Sequence, residues 1–328
     1  SLQSVLDELF ASNEEVKCIL AYCFGDYGTL PADTPMTMQS ALLNHIIGHG
    51  GFYPKGGASE IAFHIIPVIE AAGGRVLVKA QVTEIIADKS GRVHGVRVTK
   101  KSAAASSSDE NLVTVEAPLV ISAAGVPRTA QLLPGHVLAK SNIPKVLSQC
   151  NSGVGCLSLF VGLKIGQTDL AKLGVRAQNM WAFMGGPEID RRSRDFLALS
   201  AEEAASAQIP LLFISMPSSK DPSWEARYPG RSTVAVITLA HWDWFAKWEQ
   251  EKVKKRGEEY EGLKASFQRN MWEQTQELFP MLRDLEVEYA ELGTPLTNQH
   301  YINSARGEIY GLDHDMARFT EEMSALLR

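Results

Sequence analysis

Between Gly51 and Gly57 the chain sets a phenol and an ammonium, Tyr53 and Lys55, inside a run with three glycines and a proline, Gly51-Phe52-Tyr53-Pro54-Lys55-Gly56-Gly57. A tyrosine and a lysine can hold or move a proton, and glycines let a ligand approach the backbone closely. His45 and His49 are spaced i, i+4, as two ligands of one metal would be, but the acid of H-E-x-x-H is missing and no third ligand stands nearby, so no metal site is expected. Dinucleotides are cradled by Gly-x-Gly-x-x-Gly at a helix N-terminus, where free N–H groups and the helix dipole meet the pyrophosphate. Gly153-Val154-Gly155 comes nearest, but Ser158 holds the third position and the surroundings read as the entry to a strand. Cys18, Cys23, Cys150 and Cys156 have neither paired C-x-x-C spacing nor the density of a disulfide framework, so free thiols are expected.

The elements that must position these groups follow from periodicity. Ser59 reads as a helix cap, Ile61, Ile65 and Ile69 form an apolar stripe at i, i+4, i+8, and Gly73 is the stop. Pro67 predicts a kink or an earlier end, because an interior proline removes a backbone hydrogen bond. Arg75 to Val78 reads as a short strand. Val82 to Ile86 and Val93 to Val98 read as a ribbon turning at Ser90-Gly91, with Leu112 to Val115 as a further strand and Ser102 to Asp109 as a solvated loop. Val120 to Gly125 is continuous and small, which suits a parallel strand covered on both faces. Its closing Ala123-Ala124-Gly125 permits either close packing or close approach of a cofactor to a strand end.

Residues 1–50 look helical, with Leu42, Leu43, Ile46 and Ile47 striped before Gly48 and Gly50, and would cover a ligand cavity. Leu157 to Leu163, Leu211 to Met216 and Thr233 to Leu239 read as strands of a substrate-domain sheet. Tyr260, Leu263, Phe267, Met271 and Leu278 trace a helix ending at Pro280. The cluster of Trp242, Trp244, Phe245 and Trp248 fits ordinary core better than a polyene tunnel or a membrane grip. With 45% hydrophobic and 21% charged residues over 328 positions, the chain can bury a sizeable core. A net charge of −6 argues against broad nucleic-acid binding, and the basic run Lys252 to Arg256 is neutralised by flanking glutamates. No run of 18 apolar residues occurs, so any membrane contact expected of this stretch is peripheral.

The order of glycine-rich turn, helix, Gly-Gly stop, ribbon and small-residue strand resembles the amine oxidase and phytoene desaturase superfamily of FAD enzymes. Gly51 to His64, Ile209-Pro210-Leu211-Leu212-Phe213, Ser219-Lys220-Asp221-Pro222-Ser223-Trp224-Glu225, Pro229-Gly230-Arg231-Ser232-Thr233, Thr294 to Gln299 and Tyr310-Gly311-Leu312-Asp313-His314-Asp315 are similar, more narrowly, to the retinol saturase family. The resemblance implies an α/β fold: an incomplete Rossmann-like FAD/NAD(P)-binding domain with a mixed-sheet and helical substrate domain. It divides the chain into a helical cover (1–50), the central part of the FAD domain (51–130), the substrate domain (131–305) and a return toward the flavin (306–328). Because the phosphate loop and a C-terminal glycine-rich segment are missing, the chain is expected to be the interior of a longer enzyme.

The implied activity is 13,14-reduction of all-trans-retinol with FAD and a nicotinamide donor, NAD or NADP, at the endoplasmic reticulum membrane. Matching the superfamily pattern, Val82 would meet the adenine, Ala124 and Gly125 would form the close-approach strand end, and Gly56 and Gly57 the turn near the flavin. Saturating an alkene requires a hydride on one carbon, a proton on the other and a dry apolar cavity. Tyr53, Lys55, Tyr310 and His314 are the candidates for polar roles, with the proton donor unassigned. Two other readings stand beside this one: a carotenoid isomerase or desaturase, and a noncatalytic product that binds a retinoid or a partner. The oligomeric state does not follow from the residues.

Overall fold

The computed structural model describes residues 1–100, 112–176 and 179–326. The valine-rich ribbon folds as its alternation predicts: β1 (Ala80–Ala87), β2 (Val93–Lys100) and β3 (Leu112–Glu116) make an antiparallel sheet in that order. At its turn the Asp88 carboxylate accepts from the Ser90 and Arg92 amides, and Gly91 takes a φ of +96° that favours glycine. The loop expected at Ser102 to Asp109 lies outside the described residues.

Ahead of the ribbon the helix Ser59–Ala71 runs through Pro67 without a break and closes at Gly73, where the Gly74 amide donates to the Ile69 carbonyl. Ser59 is its first residue and not its cap; Ala58 holds the cap position and provides no side-chain bond. The Ile61, Ile65 and Ile69 stripe forms but covers nothing, the three residues being 58%, 52% and 37% exposed. Arg75 to Val78 and Val120 to Gly125 are not strands. They lie mostly open, Ile121 at 85%, and pair with no strand among the described residues. A parallel strand is held by neighbours on its flanks, and these two have none.

The second sheet carries the main core. It comprises β4 (Gly155–Leu163), β5 (Asn179–Phe183), β6 (Leu211–Ser215), β7 (Ser232–Ala240) and β8 (Val287–Gly293) in the order β5-β6-β7-β4-β8. Every pairing is antiparallel, so the expected mixed sheet is corrected to an antiparallel one, and no parallel pair occurs among the described residues. The fold is α/β in content with antiparallel sheets.

Period-2 alternation sends Leu157, Leu159, Val161 and Leu163 of β4, with Val234 and Val236 of β7, to one face. There they meet Tyr260, Leu263, Phe267 and Met271 of the helix Gly257–Leu278. Trp244, Phe245 and Trp248 are buried in this same layer, Trp244 stacking on Phe267 at 5.5 Å, so the aromatic cluster is core. The opposite face is covered in part by the N-terminal segment: Leu2, Leu6, Phe24 and Leu30 pack over Leu211 and Leu239, and Phe24 stacks on Phe183 at 6.3 Å. In the helix Met36–His49, Leu42, Leu43 and Ile46 are half-buried, Ile47 is exposed, and Gly50 ends the helix as expected. The C-terminal return ties onto the start of β4 through the Gly153 amide to the Gly311 carbonyl (2.7 Å) and the Ile309 amide to the Val154 carbonyl (3.2 Å).

Candidate functional site

Where the N-terminal cover ends, the same sheet face is left open as a cavity of about 330 Å³, within the roughly 300–1,000 Å³ of ligand pockets. Its floor is built by alternation. Trp181 of β5 stands opposite Phe213 of β6 in register, their rings 4.6 Å apart, and Ile237 of β7 pairs with Phe213 and with Ser158 of β4. Gly25 and Asp26 form one side and Tyr310 another.

Glycine is required at two points of this wall. A Cβ on Gly25 would sit 2.2 Å from the Trp181 ring, and one on Gly28 would sit 2.7 Å from the Tyr310 ring while its φ is +84°. The Tyr310 hydroxyl donates to the Gly25 carbonyl at 2.7 Å, and burial, with Asp26 and Cys156 adding to it, pushes the phenol up to about 12. Tyr310 is therefore a neutral phenol whose proton is already placed. His314 does not line the cavity. Its ring Nδ1 is 3.1 Å from the Tyr27 carbonyl, and its amide donates to Thr29 Oγ1 at 3.0 Å. Burial pushes its pKa down, so the ring is neutral near pH 7 and locks the return segment beside Tyr310, ring centres 6.3 Å apart.

The glycine-rich turn is held at the rim of the same sheet. The Gly56 amide donates to Asp221 Oδ1 at 3.1 Å, and that carboxylate also accepts from the Ser223 amide and hydroxyl and from Arg227. Burial alone would raise the Asp221 pKa, but the bonds from Ser223, Gly56 and Arg227 outweigh it and hold the carboxyl well below the usual range. Lys220 reaches Ser215 at 2.6 Å and Asn179, and sits 5.8 Å from the Tyr53 ring centre. Asn179 and Ser215 are paired two residues along from Trp181 and Phe213, a step of roughly 7 Å along a strand. Tyr53 is thus held at the edge of the sheet beyond the cavity wall and does not line the cavity, while Lys55 is exposed. Gly56 and Gly57 both take φ +96°, so glycine is required there on conformational grounds.

The remaining predicted cofactor residues lie apart from the cavity lining. Val82 precedes an irregularity in β1, and the helix Val126–Leu132, which begins after Gly125, packs on that strand. Ala124 and Gly125 are exposed, and a Cβ on Gly125 would meet nothing within 4 Å, so close packing within this chain does not explain the small residues. His45 and His49 lie with ring centres 5.4 Å apart and planes tilted by 43° on an exposed helix face. The four cysteines are free, three of them buried. Sequence reasoning missed Asp26, Ser158 and Trp181: alternation along β4 marked the face of Ser158 but not that this face stays open, and nothing local marked Asp26 in its turn or Trp181 on an edge strand.

No protein-family model matches the chain. All-trans-retinol 13,14-reductase of Danio rerio is 41% identical over the whole chain, which covers 52% of that protein. The Homo sapiens protein of the same name is 39% identical over the whole chain and is covered over 51% of its length. End to end, the chain is similar to retinol saturase. A further Danio rerio protein, named inactive all-trans-retinol 13,14-reductase, is 30% identical over 97% of the chain and 50% of its own length. The chain spans about half the length of these curated retinol saturase relatives. Three of the segments that carry the resemblance to retinol saturase line the cavity, and a fourth ties down the glycine-rich turn. The Ile209 block supplies Leu211 and Phe213, the Ser219 block holds Gly56 through Asp221, the Thr294 block supplies Asn298 and the Tyr310 block closes the wall.

Proposed function

We propose that this chain provides the substrate cavity of an FAD-dependent reductase that saturates the 13,14 double bond of all-trans-retinol, with NAD or NADP as electron donor. The observation that carries this reading is the aromatic-walled cavity, built by the segments shared with relatives that bear that name. Its volume suits a retinoid better than a carotenoid of twice the length. When bound, FAD supplies the hydride for one carbon of the conjugated bond.

The chain's own residues bind, orient and exclude water. Trp181 and Phe213 hold the polyene flat, Leu211, Ile237 and Leu239 keep the cavity apolar, and Tyr310 fixes the Gly25 peptide. Gly56, Gly57, Val82, Ala124 and Gly125 are the residues that would hold FAD. They fit it in one respect, since their backbone is accessible and Gly57 and Gly125 have room for a ligand where a side chain would stand. Ile61, Ile65, Leu77 and Ile121 nearby in sequence are exposed apolar side chains. The proposal includes peripheral contact with the endoplasmic reticulum membrane; no described helix is long and apolar enough to cross a bilayer.

A noncatalytic binding role is the second reading, supported by the relative named inactive and by the lack of a Gly-x-Gly-x-x-Gly run in this sequence. The deciding experiment is a titration of the purified chain with FAD and, separately, with all-trans-retinol, read by flavin absorbance after desalting and by tryptophan quenching. Retained flavin with quenching that is lost in Trp181→Phe favours the reductase. Quenching without retained flavin favours the binding role. Absence of any Trp181-dependent quenching overturns the cavity assignment.

A further inference from the structure

One carboxylate lines the cavity, that of Asp26, and no basic side chain does. Four other polar side chains of the wall already have partners. Thr238 Oγ1 donates to the Leu211 carbonyl at 2.7 Å, the Asn298 amide donates to the Gly307 carbonyl at 3.2 Å, the Tyr310 hydroxyl is engaged by Gly25, and Ser158 Oγ lies 3.5 Å from the Cys156 thiol. Asp26 differs from all of these. It closes the single turn Phe24–Asp26, its amide bonded to the Cys23 carbonyl, and the preceding peptide is clamped between Tyr310 and Trp181. Among the described residues its side chain has neither a hydrogen-bond donor nor a cation, though it remains open to solvent. Burial among the cavity walls pushes its pKa up, as expected for a carboxyl without a compensating partner.

We propose that Asp26 accepts a hydrogen bond from the hydroxyl of a polyene alcohol bound in this cavity, and so selects the alcohol over the corresponding carboxylic acid. This rests on the retinoid reading above. An alcohol brings the donor that Asp26 lacks. A carboxylate brings a second negative charge to a wall with no cation to balance either one, and two like charges at contact range repel, though solvent at the open side of Asp26 moderates the effect. A hydrogen bond to a charged group corresponds to roughly tenfold to hundredfold in affinity. An ester of the same polyene has no donor and no charge, so its binding reports the apolar cavity alone.

The test is fluorescence titration of the purified chain with all-trans-retinol, all-trans-retinoic acid and all-trans-retinyl acetate, in the parent, Asp26→Asn and Trp181→Phe. The parent is expected to bind retinol at least about tenfold more tightly than retinoic acid. Asp26→Asn should gain affinity for the acid and narrow the ratio to about threefold or less, with acetate binding unchanged. A parent that binds alcohol and acid equally, or an Asp26→Asn variant that keeps the parent ratio, overturns the role of Asp26 while leaving the cavity assignment intact. If none of the three ligands gives Trp181-dependent quenching, the retinoid reading falls and this role with it. Should Asp26→Asn fail to fold, the alcohol-to-acid ratio of the parent still decides.

Discussion

Replacing Asp221 with alanine tests how the glycine-rich turn is tied to the substrate sheet. The Asp221 side chain is 1% exposed and accepts from the Gly56 amide, the Ser223 amide and hydroxyl, and Arg227. Arg227 is 37% exposed, so water can replace its lost partner and it contributes little to the penalty. The Ser223 hydroxyl can rotate. The two backbone donors cannot, and each part-buried donor left unpaired costs about 1–3 kcal/mol, giving about 3 kcal/mol in all. In a chain of this size that corresponds to a fall in Tm of roughly 6 °C.

The same site sets a pH dependence. Because the folded carboxyl titrates below the ordinary value of 3.8, folding favours its ionised form. Its contribution is present above the unfolded pKa and is lost as pH falls through and below that value. Thermal melts of parent, Asp221→Asn and Asp221→Ala between about pH 7 and pH 3 provide the assay, with hydrogen exchange at the Gly56 amide as the local readout. Asparagine keeps an acceptor and should fall between the other two. The parent's advantage over both variants should begin to narrow as pH falls below the ordinary value of 3.8 and should persist in part at the acid end of this range, because the folded carboxyl titrates lower still. A Tm for Asp221→Ala within about 1 °C of the parent at pH 7, with unchanged exchange at Gly56, would refute the tether.

Gly25→Ala places a Cβ 2.2 Å from the Trp181 ring. The indole must move, so retinol-induced quenching should weaken about tenfold and stability should fall by about 1–3 kcal/mol, read by fluorescence titration and by melting. Tyr310→Phe removes the donor to the Gly25 carbonyl at 2.7 Å at a cost of about 1 kcal/mol; retinol binding should persist, and its complete loss would show that the phenol contacts the ligand directly.

The sequence made legible what local pattern and turn chemistry encode. The β1–β2 hairpin follows from alternation plus Ser90-Gly91, and β4, β6 and β7 from apolar runs long enough to span a sheet. Strands β5 and β8 escaped because they are the edges of the sheet. An edge strand is held on one side only and commonly carries charge, as β8 does with Glu288 and Glu291, which blurs alternation. The cavity was hidden for a related reason: Trp181 sits on one of those edges, Asp26 in a three-residue turn, and Tyr310 reaches Gly25 across 285 positions of sequence. No window of local sequence contains that geometry. Tyr53, Lys55, Tyr310 and His314 were legible as polar groups, but their separation into a cavity wall, a rim, a lock and a solvent-facing lysine is a property of assembly.

Two kinds of apolar pattern remain in this chain, and they behave differently. In the five-stranded sheet one face meets the helix Gly257–Leu278 and the other meets the N-terminal segment, save for the cavity; its alternation is spent within the chain. In Ser59–Ala71, Arg75 to Val78 and Val120 to Gly125 the pattern is as strong, yet Ile61, Ile65, Leu77 and Ile121 remain exposed. Burying such side chains is worth about 1.5–3 kcal/mol each, so whatever surface covers them gains several times that amount. The proposed retinoid cavity draws its walls from Gly25 and Asp26 and from positions beyond 155, whereas the residues assigned to FAD by resemblance are all at 56–125. On the proposed reading, binding of retinol and retention of FAD are therefore separable, and covering the exposed stripe should strengthen the second while leaving the first unchanged.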